Sequence, residues 1–199
     1  AGLAGVEVTP EIAGRYLGDD AFQPFWEAAE DTEAVVFIHP ATRGLALPVF
    51  GDYYLWNSVA NPVETTIAAA HLVMAGVLER HPALKIVLAH GGGALWAVRG
   101  RLRRAHEQVP AARNRLREPP DASLARLYHD TVTHDQALLR RLIEDAGPDH
   151  VLLGSDRPFD MGSDDPVGDV RGLGLPDAAE AAVLGGNARR LLGLPAAGR

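Results

Sequence analysis

Lys85-Ile86-Val87-Leu88-Ala89-His90-Gly91-Gly92-Gly93 is the stretch whose reading decides the fold. Its apolar run, uninterrupted and partly β-branched, reads as a strand covered on both faces, as strands of a parallel sheet are. A histidine and three glycines break the run before a basic helix at residues 95–107. Upstream, Ala34-Val35-Val36-Phe37-Ile38 repeats the pattern and ends at His39-Pro40. Downstream, His150-Val151-Leu152-Leu153 repeats it again and ends in Gly154-Ser155-Asp156-Arg157-Pro158. Two more strands are expected at residues 3–9 and 127–133.

Helical stretches separate these strands. Residues 21–31 carry Phe22, Phe25 and Trp26 on adjoining faces. Asn61-Pro62-Val63-Glu64 reads as a helix start with an Asn cap, and it sets Ile67, His71, Met74 and Leu78 on one face. A further helix is expected to be capped by Asp135 and closed by Gly147-Pro148, another spans 177–184, and a last one is capped by Asn187. Residues 110–121 read as a solvated connection and 160–165 as an acidic loop. Five strands each followed by a helix make a βα series, which either closes as a barrel or opens as a doubly wound sheet. Polar residues decide between them: His39, His90 and Asp156 all stand at strand carboxyl ends, the edge where a (β/α)8 barrel gathers its chemistry. Neither G-x-G-x-x-G nor G-x-x-x-x-G-K-[ST] occurs, which removes the simplest nucleotide-binding readings.

Composition narrows the chemistry. The chain has 199 residues and a formal net charge of -7, which disfavours nucleic acid as a partner. Apolar residues at 47% and charged residues at 23% describe a chain that folds rather than one that stays disordered. It contains no cysteine, so any metal must be held by histidine and carboxylate, and a reducing cytoplasm is the expected compartment. No apolar run is long enough for a membrane span.

His39, His90 and Asp156 are ligand types that suit zinc, iron or manganese at an open catalytic site. The competing reading is structural: each His ends its strand on a carbonyl, and Asp156 caps the turn before Arg157. The other histidines are set aside. His71 is read as packed or partly exposed, His81 and His106 as surface residues, and His150 as lying at the wrong end of its strand; His134, with Asp130 just beyond a strand carboxyl end, is within reach of a site but is read first as part of a helix cap beside Asp135. Tyr53, Tyr54 and Trp56 read as a lid or a cover over the active edge.

Five segments taken together resemble the amidohydrolase superfamily, and within it the branch typified by aminocarboxymuconate-semialdehyde decarboxylase. They are Val36-Phe37-Ile38-His39-Pro40, Pro62-Val63-Glu64-Thr65-Thr66, His90-Gly91-Gly92-Gly93, Leu153-Gly154-Ser155-Asp156-Arg157-Pro158-Phe159 and Gly186-Asn187-Ala188-Arg189-Arg190-Leu191-Leu192-Gly193-Leu194. The resemblance runs in order from Gly2 to Leu194. It implies a metal-dependent hydrolase-like (β/α)8 barrel, here its last five βα units within one domain over residues 1–199. It implies His39 and Asp156 as ligands of a divalent metal, zinc first among them. His90, together with Asp156, is implied as catalytic, the histidine handling the proton of a metal-bound water. Trp56 stands near the position of a gating Trp, and Arg157 lies where it helps shape the substrate pocket.

The implied function is decarboxylation of a small unsaturated or aromatic carboxylic acid, with hydrolysis or hydration at the same site as the alternative. A non-catalytic fragment that completes its barrel with a partner is the third reading, and a homodimer is left open. The family's His-x-His pair is missing: no histidine precedes His39. A whole barrel typically needs about 250 residues. The expectation is therefore a carboxyl-terminal portion of a longer protein, impaired in activity and binding zinc poorly by itself.

Overall fold

The computed structural model describes residues 2–41 and 45–195. Residue 1, residues 42–44, which follow the His39-Pro40 strand end, and residues 196–199 lie outside them. Five short strands run parallel: β1 (Gly5–Val8), β4 (Val35–Ile38), β5 (Lys85–Leu88), β6 (Tyr128–Asp130) and β7 (Val151–Leu152). Their order in the sheet is the order of the chain, β1-β4-β5-β6-β7. A doubly wound sheet reverses direction at a switch point; this one never does, so it forms an arc of the barrel. A small antiparallel hairpin, β2 (Glu11–Ile12) with β3 (Arg15–Tyr16), follows β1.

Alternation along each strand builds two faces. In register, Val36 pairs with Ile86 and Ile38 with Leu88, and all four point outward into the main core. There they meet Trp26 and Ala29 of α1 (Gln23–Asp31) and Ala68, Ala69 and Leu72 of α2 (Asn61–Met74). Full burial of each aliphatic side chain contributes roughly 1.5–3 kcal/mol. Val35 and Val87 point the other way, where Leu191 of the last helix covers them.

Helix α2 departs from expectation at both ends and on its face. Asn61 does not cap it, because Trp56–Ala60 already wind as a wide turn that feeds into the helix. The buried face is Thr65, Ala68, Ala69, Leu72 and Val73, small residues that let the helix lie close to the strands, and His71 is exposed. Gly76, at φ 69°, ends it, so Leu78 belongs to a separate short helix α3 (Val77–Arg80). His81, expected at the surface, is 7% exposed with its Nδ1 3.0 Å from Glu30 Oε2.

Helix α4 (Leu95–Gln108) matches the basic helix. The connection after it is less solvated than its composition implies: Leu116 is fully buried, His106 Nε2 lies 3.0 Å from the Leu116 carbonyl, and Pro120–Leu124 forms α5. Helix α6 (Gln136–Ala146) is capped as read, with Leu138 N–H donating to Asp135 Oδ1 at 2.8 Å and Gly147 at φ 88° closing it. Its Leu139, Leu142 and Ile143 pack on Val151, on Val170 of α7 (Pro166–Arg171) and on Val183 after α8 (Asp177–Ala181). Helix α7 was not anticipated; Asp165 caps it. Asn187 opens α9 (Asn187–Leu191) without capping it, its Nδ2 donating instead to the carbonyls of Pro148 and Val151, both at 2.7 Å. No helix among the described residues is long and apolar enough to cross a membrane.

Candidate metal and catalytic site

Where β4 ends, His39 N–H still donates to Val8 O at 3.0 Å, so the strand pairing carries this histidine to the sheet rim. At the end of β5 the chain turns sharply. His90 sits at φ 55°, followed by Gly91 at 61°, Gly92 at 79° and Gly93 at 62°. Four successive left-handed residues are tolerable only because three are glycine. Space imposes the same requirement, since a Cβ at Gly93 would lie 2.0 Å from the Pro62 carbonyl oxygen. Asp156 follows β7 and also takes a left-handed conformation, φ 54°. Non-glycine residues rarely adopt it, and those that do concentrate at functional sites.

The turns converge. One ligand atom from each of His39, His90 and Asp156 lies within 4.8 Å of the others, and the two imidazole centroids are 5.2 Å apart. All three residues are partly buried. His90 Nδ1 is buried without a hydrogen-bond partner among the described atoms. Burial is the larger cause that pushes the His90 imidazole down to about 4, with His39 and His134 adding to it, so the ring is neutral at pH 7. Burial raises the Asp156 carboxyl, opposed by the same two histidines. Imidazole and carboxylate donors gathered this closely, one of them an orphaned buried nitrogen, fit a divalent metal.

Two cavities meet at the cluster. One, of about 700 Å³, occupies the concave side of the sheet and reaches Glu7, Phe37, His39, His90, Asp156 and Arg157. The other, of about 490 Å³, runs from His90 and Asp156 between α4 and α6, along Trp96, Leu138 and Leu142. Arg157 reaches the first cavity, but its Nη2 donates to Asp164 at 2.9 Å and its Nε to the Ser163 carbonyl at 3.0 Å. Asn57 and Ser58 line the second cavity from the expected lid, whereas the Trp56 ring packs edge-on against Tyr54 at 4.9 Å. Tyr54 in turn donates to Asp160 Oδ2 at 3.4 Å, bridging that segment to the loop after Asp156, and Tyr53 is 91% exposed.

Several residues at the site were not among the candidates chosen from the sequence. His134, assigned to a helix cap, lines the second cavity while Asp135 does the capping. Glu7 of β1 places Oε1 3.9 Å from His39 Nδ1. Asp130 and His129 flank the His90 turn from β6 and are both buried. Alternation along β1 points Glu7 to the same face as Phe37, a signal that was available.

Residues 1–194 match the amidohydrolase family. A 2-amino-3-carboxymuconate-6-semialdehyde decarboxylase of Dictyostelium discoideum is 31% identical over 197 residues, 97% of this chain and 54% of that protein. Among solved structures, 5-carboxyvanillate decarboxylase of Sphingomonas paucimobilis superposes with a TM-score of 0.85 at 28% identity, covering 97% of this chain and 59% of the other. A dihydroxybenzoic acid decarboxylase of Polaromonas sp. JS666, with bound manganese and 2-nitroresorcinol, has the same fold at a TM-score of 0.83 and 22% identity, covering 96% and 61%. The chain spans about half the length of the curated relatives it matches. Its parallel arc of five strands and the helices around it are an amidohydrolase barrel in part, and the chain belongs to the amidohydrolase family.

Proposed function

We propose that the protein is, or is the greater part of the working half of, a metal-dependent decarboxylase of small aromatic or unsaturated carboxylic acids. Residues 1–199 act in this reading as one domain. The observation that carries it is the convergence of His39, His90 and Asp156 at the carboxyl rim, with the partnerless Nδ1 of His90 buried among them.

His39 and Asp156 would hold the divalent cation. Zinc and manganese both suit the donor set, and the manganese of the Polaromonas relative adds weight to the second. Such a cation supplies Lewis acidity toward the substrate's oxygens. The remaining work falls to the chain. Phe37 and Leu152 offer the concave cavity an apolar wall for a ring, and Arg157 stands at its rim. His90, neutral at pH 7, takes up a proton from solvent and delivers it to the carbon that bears the carboxylate. As CO₂ leaves, the electron pair of the broken C–C bond ends in the new C–H bond. Hydrolysis or hydration would use the same proton acceptor on water, and the family relatives named above favour decarboxylation.

CO₂ release is the direct test. The chain is assayed with manganese or zinc against benzoates and muconate-type acids, beside its His90→Ala variant. Release that falls by about 10²- to 10⁴-fold in the variant is the expected result, the range for loss of an acid–base group. Hydrolysis products without CO₂, or equal release by the variant, would overturn the proposal.

A further inference from the structure

We infer that Asp130 is the positioning residue of this site, a buried carboxylate on β6 that fixes the turn carrying His90 and braces the segment leading to Asp156. The inference rests on the reading of His90 given above. Asp130 is 8% exposed and accepts three backbone N–H bonds. Oδ2 takes the N–H of His90 at 3.0 Å; Oδ1 takes those of Gly91 at 2.7 Å and Val132 at 3.0 Å. A turn of consecutive left-handed residues directs its N–H groups into a concavity, and such a concavity binds an anion. Here the chain supplies the anion from the neighbouring strand.

The same strand grips the turn from its other face. A Cβ at Gly92 would lie 2.6 Å from His129 Nδ1, so the backbone rests directly on that ring, and Trp96 Nε1–H donates to His129 Nε2 at 3.3 Å. Toward Asp156, a Cβ at Gly154 would lie 2.9 Å from Asp130 Cβ, while Gly154 N–H donates to Thr131 Oγ1 at 3.0 Å. Asp130 therefore sits between the two turns whose side chains must meet. Among the described residues its hydrogen bonds go to backbone N–H groups and not to either imidazole, so it acts through the backbone of His90.

Amide hydrogen exchange and ring-to-ring NOEs on the 199-residue chain test this, with Asp130→Asn, Asp130→Ala and His90→Ala compared after thermal unfolding has shown which are folded. Asparagine keeps one oxygen for Gly91 and Val132 and turns an NH₂ toward the His90 N–H. Exchange in Asp130→Asn should thus rise at His90 by about 10- to 100-fold, the equivalent of one lost charge-assisted hydrogen bond, and change far less at Gly91 and Val132. In Asp130→Ala all three amides should lose protection, and the NOE between the His39 and His90 rings should vanish. Unchanged exchange at His90 in folded Asp130→Asn, or an equal rise at all three amides, would overturn the inference. If Asp130→Ala does not fold, Asp130→Asn alone decides. His90→Ala addresses the reading underneath: full CO₂ release by that variant would sink the role of His90, whereas the exchange pattern judges Asp130 separately.

Discussion

The two faces of the parallel sheet are built from the same strands and do opposite work. Outward, Val36, Ile38, Ile86 and Leu88 are completely buried under α1 and α2. Inward, the surface is graded. Val35 and Val87 are buried with Leu191 toward the amino end; Phe37, Tyr128 and Leu152 are half-buried; Glu7, His39 and His90 open on a cavity of about 700 Å³ at the carboxyl end. Polar groups gather toward this carboxyl end, Glu7 and Asp130 within paired strands and His39 and His90 just beyond them. Stability is thus concentrated on the outer face and chemistry on the inner rim, and substitutions on the two should separate cleanly.

The largest effect is expected outside. Trp26 is fully buried, and its Nε1–H donates to the Leu17 carbonyl at 2.9 Å. Trp26→Ala removes both the volume and the donor and should cost about 3–5 kcal/mol, read as a fall in the urea midpoint. A variant that unfolds at the parent's midpoint would show that the outer face is not where stability resides. At the rim the pattern should invert. His39→Ala removes a partly exposed side chain that makes no close hydrogen bond among the described residues, so the midpoint should barely move. Manganese affinity, followed by titration calorimetry, should fall by at least about the 10- to 100-fold that altered ligand support alone costs. Equal affinity in the variant would remove His39 from the metal centre.

Strand ends were legible because an uninterrupted apolar run that stops at a histidine or aspartate needs only neighbouring residues to be read. His39, His90 and Asp156 were singled out in that way, and the folded chain brings the three together. What escaped depends on partners far along the chain. Asn187 reads locally as a cap, yet its amide is used by carbonyls at positions 148 and 151. Asp130 reads as one more polar residue near His134, and only the folded sheet brings the N–H groups of His90 and Gly91 to it. The α2 face was misplaced because large residues were taken as the buried ones; close helix–sheet packing instead selected Thr65, Ala68 and Ala69. Trp56 opens the wide turn that leads into α2 and its ring turns to Tyr54, since a lid's side-chain directions follow from what it closes over.

The expected effect that is smallest per pH unit sharpens the comparison most. On β6, Tyr128 and Asp130 face inward, and His129, paired in register with Leu88, faces the outer core at 0% exposure. Burial, with His150 adding to it, pushes His129 down to about 3. An unfolded chain takes up the proton near 6.5 and the folded one only near 3, so the folded state should lose stability as pH falls across that window. His90, lowered to about 4, acts in the same direction. Asp130, raised to about 6 by burial against its three backbone bonds, acts oppositely: it binds its proton more readily folded than unfolded, and its offset is lost as pH rises through 6. Each such proton contributes at most about 1.4 kcal/mol per pH unit to the slope of stability. His129→Gln, which retains an acceptor for Trp96, should therefore flatten the acid limb below pH 6 in urea titrations repeated from pH 4 to 7. An acid limb of unchanged slope would mean that the outer face admits a charged imidazole, and the contrast between the two faces would then be one of packing rather than of polarity.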